Sequence, residues 1–438
     1  MKIECIKMGI NGEGIGYDDK KTPVFCTGVL PGETAEVTVL EDHGTYIKAE
    51  ADHILVTSVD RVKPAGMIEC ECGFPLMALN YEAQLKYKQQ LLEQALWKYG
   101  HVGRNLIRTI KASPETLSCR SECKLPFGEA HRELAVGLYR PSTNHFVPVT
   151  HFVTHTPELE AIRDQVMTIL RKQHFRPYDP KSRKGLRTLV LRVIDHQVQC
   201  TLVTGKDTIK QETLDALMAI EGMKTVAQSL NTEKKNPRIF GSTRVLAGED
   251  SIELHLSGLT LYLAPESFFQ LNIPQAEALY QMAVAKIDPC RTLVEAYCGI
   301  GTMSLLASGK ADEIIGMESV KDAVKNATRN AEANGITNTR FIAEDAGTGL
   351  NSILEKQNVD TLLVDPPRAG MDDRMINAIM NSNIHRIVYV SCDPATLGKN
   401  ISLLKKAYDV RTVIPYDMFP NTPHVESLTV LERRGGKK

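Results

Sequence analysis

From about residue 259 to its end this chain alternates short β-rich runs with helical segments, a pattern that few folds can accommodate. TLVEAY, EIIGME, TRFIAED, DTLLVDPP and RIVYVSC read as strands, and GTMSLLAS and VKDAVKNATRNAEANG between them read as helices. β-runs separated by helices cannot pair as hairpins. The crossover helix makes neighbouring strands run parallel and covers both faces of the sheet. The pattern predicts a doubly wound, Rossmann-like α/β domain over 259–438, whose ligands sit outside the carboxyl ends of its strands.

The preceding residues read differently. In residues 1–60, Gly9, Gly12, Gly14 and Gly16 punctuate the opening, KTPVFCTGVL is strand-like and Pro31-Gly32 marks a turn. The run from Thr34 to Leu55 then alternates apolar and polar positions, which predicts a small OB-like β-barrel, a frequent nucleic-acid platform. Residues 61–258 predict a central α+β domain: YEAQLKYKQQLLEQALWKYG carries Leu85, Leu92 and Leu96 at helical spacing, TPELEAIRDQVMTILRKQ opens on Thr156-Pro157, and LRTLVLRVI and VQCTLVTG read as paired strands.

A chain of 438 residues exceeds one ordinary core, and 42% hydrophobic with 24% charged residues is the balance of an ordered protein. No apolar run approaches the roughly 20 residues that span a bilayer, and the N-terminus lacks an apolar signal core. Ten scattered cysteines form no disulfide framework, so a reducing cytoplasm is expected, with no membrane partner and no obligate protein partner. The net charge of −1 means that a nucleic-acid partner must be argued from local patches. Two basic clusters qualify: Lys181, Arg183, Lys184, Arg187 and Arg192, and Lys234, Lys235 and Arg238. Short basic runs are more often plain solvated surface, so charge alone decides nothing.

TLVEAY leads into Cys298-Gly299-Ile300-Gly301-Thr302, and two glycines at a strand-to-helix turn let the backbone approach a ligand. One such pair is weak; the acids at successive strand ends strengthen it. Glu318 ends the second strand, where it suits ribose hydroxyls; Asp345 ends the third, within reach of an adenine amine; Asp365 ends the fourth. Dinucleotide enzymes carry a third glycine where this chain has Ser304, and an acidic rim suits a sulfonium cation, so S-adenosylmethionine is the expected cofactor.

Asp365-Pro366-Pro367-Arg368 is a rigid projection. Arg368 stands where amino-methyltransferases carry an aromatic ring, which argues against an exocyclic amine as acceptor. Cys392 follows the next strand and is placed as a nucleophile, with Arg368 and Lys399 as candidate activating cations. For Cys5, Cys26, Cys200, Cys290 and Cys298 the inert packing role is preferred. Near the end, two prolines stiffen FPNTPHVE and hold His424 and Glu426 just before the final strand.

DPPRAG, VSCDPATL and FPNTPHVE together resemble the three hallmark segments of the RNA (uracil-5-)-methyltransferase family. ESFFQLN resembles its F-x-Q-x-N segment, and GEGIGY…VLPGE resembles a TRAM domain, an RNA-binding barrel. The resemblance implies that Cys392 adds to carbon 6 of uracil and that Glu426 removes the carbon 5 proton. It places Gln270, Tyr297, Gly299, Gly301, Thr302, Glu318, Asp345 and Asp365 at the cofactor and Phe268, Arg368 and His424 at the substrate. It also implies ribosomal RNA, of the 23S type, as the substrate, with transfer RNA as the alternative. RNA cytosine-5 methylation is disfavoured because Ser391 precedes the cysteine where a proline is typical, and a non-catalytic RNA-binding protein would need neither Cys392 nor Glu426.

Many members of that family hold a four-iron cluster on a C-x5-C-G-x2-C run and a distant cysteine. Here the segment reads Cys70-Glu71-Cys72-Gly73-Phe74-Pro75, and THFVTHTP stands where the distant cysteine is expected. An iron–sulfur cluster is therefore not expected. Cys119 and Cys123 could complete a four-thiolate set with Cys70 and Cys72, but packing is the preferred role of all four.

Overall fold

The computed structural model describes residues 1–141, 143–233 and 238–435. The N-terminal strands are β1 (Lys2–Glu4), β2 (Lys7–Met8), β3 (Gly14–Tyr17), β4 (Pro23–Thr27), β5 (Thr34–Asp42) and β6 (Ile47–Val56), followed by helices α1 (Met67–Cys72) and α2 (Tyr81–Gly100). Next come β7 (Glu122–Ala130), β8 (Glu133–Tyr139), β9 (Phe146–Pro148), α3 (Pro157–Lys172), β10 (Leu186–Ile194), β11 (Gln197–Thr204), α4 (Gln211–Met218), β12 (Met223–Leu230) and β13 (Ser242–Gly248). A hairpin, β14 (Ile252–Leu256) and β15 (Leu259–Leu263), leads to α5 (Ile273–Ala285). The remainder is β16 (Cys290–Ala296), α6 (Thr302–Leu306), β17 (Ala311–Glu318), α7 (Lys321–Ala333), β18 (Thr339–Ala343), α8 (Ala346–Leu354), β19 (Thr361–Val364), α9 (Asp373–Asn381), β20 (Arg386–Ser391), α10 (Pro394–Leu404), β21 (Tyr408–Tyr416) and β22 (Glu426–Arg433).

Two compact units result. The first holds Met1–Thr116, Pro367–Met371 and Tyr389–Lys438; the second holds Leu117–Pro366 and Asp372–Val388. In the first unit β1 to β6 form one sheet in the order β1-β5-β6-β4-β3-β2. The Ile6 amide donates to the Ile15 carbonyl at 2.9 Å, so the chain leaving β1 bonds to β3 and curls the sheet toward its own edge. Its small core is Ile3, Val24, Cys26, Val29, Ala35, Val37 and Ala49. The same unit contains the antiparallel pair β21 and β22 and the helices α2 and α10.

Asn80 caps α2 by accepting from the Ala83 amide, and the helix ends where His101 turns left-handed at φ 50°. Its buried face includes Gln84, Lys88, Leu92 and Leu96, while Leu85 is only half-buried. Polar side chains thus continue the stripe that leucines complete.

In the second unit a seven-stranded sheet runs β13-β12-β11-β10-β7-β8-β9, backed by α3 and α4. Thr156 caps α3, accepting from the Leu159 amide at 3.3 Å. The α/β part has parallel pairs β16–β17, β16–β19 and β17–β18, with helices in the crossovers. The alternation of strands and helices in the sequence is therefore the fold observed. Among the described residues no helix is long and apolar enough to cross a membrane.

Of the cysteines assigned to packing, Cys5, Cys26, Cys200 and Cys298 are buried. Cys290 is only half-buried, because it opens β16 at the strand's exposed start.

Candidate functional site

In the second unit the central strand β16 carries Thr292 to Ala296 fully inside the sheet, Glu295 among them. Glu295 accepts a short hydrogen bond from the Ser304 hydroxyl. Burial, helped by Asp365 and Glu318 nearby, pushes its carboxyl up to about 8. Directly after the strand, Tyr297 adopts φ 64°, a conformation costly for an aromatic residue. Gly299 (φ 53°) and Gly301 (φ 83°) complete the turn, and α6 begins at Thr302.

The two glycines are needed for different reasons. A Cβ on Gly301 would stand 2.8 Å from Phe341 Cζ, so that position is closed by the protein itself. A Cβ on Gly299 would meet nothing within 4 Å, so there the open space lies in front of the backbone.

The acids follow in order along the strand ends. Glu318 closes β17: one oxygen accepts from the Gly299 amide at 3.2 Å and the other from the Val320 amide at 2.9 Å. Asp345 caps α8, its Oδ1 accepting from the Thr348 amide at 3.1 Å. Asp365 follows β19, and burial pushes its carboxyl up to about 7. Asn272 caps α5, Phe268 is 66% exposed, and the 7% exposed Gln270 has a side-chain oxygen with no hydrogen-bond partner among the described residues. An unpaired buried acceptor costs about 1–3 kcal/mol unless a ligand donates to it. That orphan, the space over Gly299 and the carboxylates at three strand ends fit a nucleoside that bears a positive charge.

Arg192 anchors the segment carrying Phe268 and Gln270. Its guanidinium pairs with Glu122 and donates to the Gln199 side chain at 3.0 Å and the Ser267 carbonyl at 2.6 Å. The sequence placed Arg192 in a basic cluster; at 3% exposed it is instead an internal tie, on the sheet face opposite Leu191 and Val193, where its bonds to the Ala264 and Ser267 carbonyls bury it. Arg187, also of that cluster, is half-buried against Tyr178 with its guanidinium 4.2 Å from the ring centroid, while Lys181, Arg183 and Lys184 are exposed. In the second cluster Arg238 is exposed, and Lys234 and Lys235 lie outside the described residues.

The first unit holds Arg368, Cys392, His424 and Glu426. Cys392 follows the last residue of β20, and Glu426 is the first residue of β22 rather than lying ahead of the strand. β20 and β22 are sheet neighbours, and the Ser427 hydroxyl donates to the Ser391 carbonyl at 3.4 Å, so the nucleophile and base candidates stand at adjoining strand ends. Glu426 is 1% exposed, and Cys392 keeps partial access to solvent. Arg368 donates to Nε2 of His424 at 3.1 Å, which leaves the neutral ring's proton on Nδ1. Lys399, the other candidate activating cation, is exposed on α10 with its ammonium 5.5 Å from the Tyr99 ring centroid.

Residues outside any motif fix the loop before Glu426. Lys88 of α2 pairs with Asp417, both side chains fully buried, and donates to the Phe419 carbonyl at 2.8 Å. Gln84 donates to Asn421 Oδ1 at 3.0 Å and accepts from its amide at 2.9 Å, while Asn421 Nδ2 reaches the Thr116 carbonyl at 2.7 Å. Asn421 adopts φ 67°, which asparagine tolerates better than most residues. The sequence reading missed this clamp. Its one local signal is the i, i+4 register of Gln84 and Lys88 with Leu92 and Leu96.

Cys70 and Cys72 lie in α1, and Cys123 is buried in β7 with its thiol pushed up to about 12 by burial. Among the described residues no group of three or more His, Cys, Asp and Glu side chains stands together as a ligand set for a metal.

The family model for tRNA (uracil-5-)-methyltransferase matches residues 80–434, and that for the TRAM domain matches residues 2–51. An uncharacterized RNA methyltransferase of Lactobacillus johnsonii is 34% identical over 99% of this chain and 97% of its own. One from Bacillus cereus is 33% identical over 98% and 95%. Among solved structures, the tRNA (uracil-54, C5)-methyltransferase of Pyrococcus abyssi, in complex with S-adenosyl-L-homocysteine, superposes with a TM-score of 0.79 over 98% of this chain and 99% of that one, at 24% identity.

Proposed function

The chain belongs to the tRNA (uracil-5-)-methyltransferase family and is an RNA methyltransferase that uses S-adenosylmethionine; from that premise we propose that it methylates carbon 5 of a uridine through a covalent adduct on Cys392. The placement of Cys392 and Glu426 at adjoining strand ends of one unit carries this reading.

Gln270, Tyr297, Gly299, Gly301, Thr302, Glu318, Asp345 and Asp365 hold the cofactor. When bound, it supplies an electrophilic methyl carbon on a sulfonium centre. The Cys392 thiolate adds to carbon 6 of the uracil, and the ring electrons move onto oxygen 4. Carbon 5 of the resulting enolate is nucleophilic and would take the methyl group, the electron pair of the broken bond remaining on the donor's sulfur as a neutral thioether. The Glu426 carboxylate then removes the carbon 5 proton, the ring double bond re-forms and the carbon–sulfur bond breaks. Arg368 and His424 position the uracil, which has to leave any stack to be reached.

The proposed RNA is 23S ribosomal RNA; the N-terminal TRAM match supports RNA as the substrate class. Transfer RNA is the second reading, favoured by the Pyrococcus abyssi enzyme, which acts on tRNA and shares the fold over 98% of this chain. Mapping 5-methyluridine in both RNA classes from a deletion strain tests the choice. Loss of a ribosomal site supports the first reading, loss of a transfer-RNA site supports the second, and no loss in either opposes the function itself.

A further inference from the structure

The end of α2 and the middle of α10 cross closely in the first unit. A Cβ on Gly100 would stand 3.1 Å from the Gly398 carbonyl oxygen, and one on Gly398 would stand 2.9 Å from Tyr99 Cβ. The crossing gathers side chains that the catalytic reading does not use. The ammonium groups of Lys98 and Lys399 lie 5.0 and 5.5 Å from the Tyr99 ring centroid. Lys405 donates to the His101 carbonyl at 3.4 Å. The His101 ring stands edge-on to Trp97 at 6.5 Å, and Trp97 is 64% exposed.

The charge of this surface is mainly positive; Glu93, one turn before Trp97, is taken up by Arg104 at 3.1 Å. Residues 94–112 contain four Lys or Arg and no Asp or Glu, and residues 394–408 contain three and none, in a chain whose net charge is only −1. An ordinary solvated helix face mixes both signs, as the chain as a whole does. A protein-binding patch is depleted in lysine around its aromatic anchors. An exposed indole on a surface that also carries lysines is what a single nucleic-acid strand uses: a face for a base to stack on and cations for its phosphates.

The position suits this role. α10 starts two residues after Cys392, and Lys399 lies seven residues on, roughly 10 Å along the helix axis at 1.5 Å per residue. Nucleotides adjoining a base held at Cys392 come within reach of this surface. Resting on the RNA methyltransferase reading above, we propose that the α2–α10 surface binds single-stranded RNA flanking the target uridine, with Trp97 stacking on a base and Lys98, Lys399 and Lys405 contacting phosphates.

Trp97 is the only tryptophan in the chain, so tryptophan emission, excited selectively over tyrosine, reports on this surface alone. Titrating the full-length protein with an oligouridine of roughly 12 nucleotides should quench that emission, less so as salt rises. Trp97→Ala should raise KM for ribosomal or transfer RNA roughly tenfold or more at unchanged kcat, and Trp97→Phe should restore most of it. The combined Lys98→Ala, Lys399→Ala and Lys405→Ala variant should flatten the salt dependence of log affinity by about 2. S-adenosylhomocysteine binding, as a check on folding, should not change in any of them. RNA that is bound and methylated without quenching overturns the proposal and leaves the function standing, as do variants with wild-type KM; the surface then serves a partner such as another protein. A wild-type chain that neither binds nor methylates any RNA overturns both.

Discussion

Lys88 and Asp417 form an ion pair with both side chains fully buried, and the same ammonium holds the carbonyl of Phe419, seven residues before Glu426. Sequence separation makes this tie long-range, and burial makes it costly to break. Removing one partner of a buried pair leaves an uncompensated charge, at a cost of about 3–5 kcal/mol. Lys88→Met should therefore lower the thermal midpoint markedly, and adding Asp417→Leu should recover much of the loss. A double variant no more stable than the single one would contradict the pairing.

The glycine turn separates packing from ligand binding. Gly301→Ala brings a methyl group to 2.8 Å from Phe341 and should lower stability with or without ligand. Gly299→Ala meets no protein atom within 4 Å, so its intrinsic cost is the left-handed backbone, about 1–2 kcal/mol. Its larger effect should be on cofactor affinity, a loss of roughly tenfold or more where the methyl group occupies ligand space. Calorimetric titration with S-adenosylhomocysteine compares the two; equal affinity in Gly299→Ala and wild type would place the cofactor elsewhere.

Two desolvated acids, the buried Glu295 and the half-buried Asp365, give the protein a defined pH response. Burial raises Asp365 to about 7 and Glu295 to about 8. Both lie above the ordinary carboxylate range, so their contribution to stability is full below about pH 4 and is lost as pH rises through those values. The thermal midpoint should fall between roughly pH 4 and 8, and Glu295→Gln should flatten that fall, most clearly in its last part above about pH 7. A bound sulfonium favours ionised Asp365, so S-adenosylmethionine affinity should rise as pH climbs to about 7 and level off above it. S-adenosylhomocysteine, which lacks that charge, should respond less, and Asp365→Asn should abolish the difference. A pH-independent affinity would contradict the role of Asp365.

What the sequence made readable was what local pattern encodes. Strand and helix alternate within a few residues of one another, so β16 to β20 and the residues at their ends could be placed without coordinates. Arg192 could not be, because a cation in a basic stretch looks the same whether it faces water or, as here, Glu122 and the Ser267 carbonyl. Lys88 and Asp417 are 329 residues apart, and no spacing rule links them. Glu295 was hidden differently: an acid within an apolar strand run shows its partner, Ser304, only when the turn brings the helix back over the strand. Cys392 and Glu426 drew attention by motif, whereas their common placement depends on β22 pairing beside β20.

The covalent route through Cys392 and Glu426 is tested most directly by the fate of an RNA substrate in three proteins. With S-adenosylmethionine present, Glu426→Gln should accumulate a protein–RNA adduct that survives a denaturing gel, because methyl transfer precedes the blocked proton removal. Wild type should turn over without a persistent adduct, and Cys392→Ala should form neither adduct nor 5-methyluridine while still binding cofactor. No adduct in Glu426→Gln with an RNA that wild type methylates, or methylation by Cys392→Ala, would contradict the account.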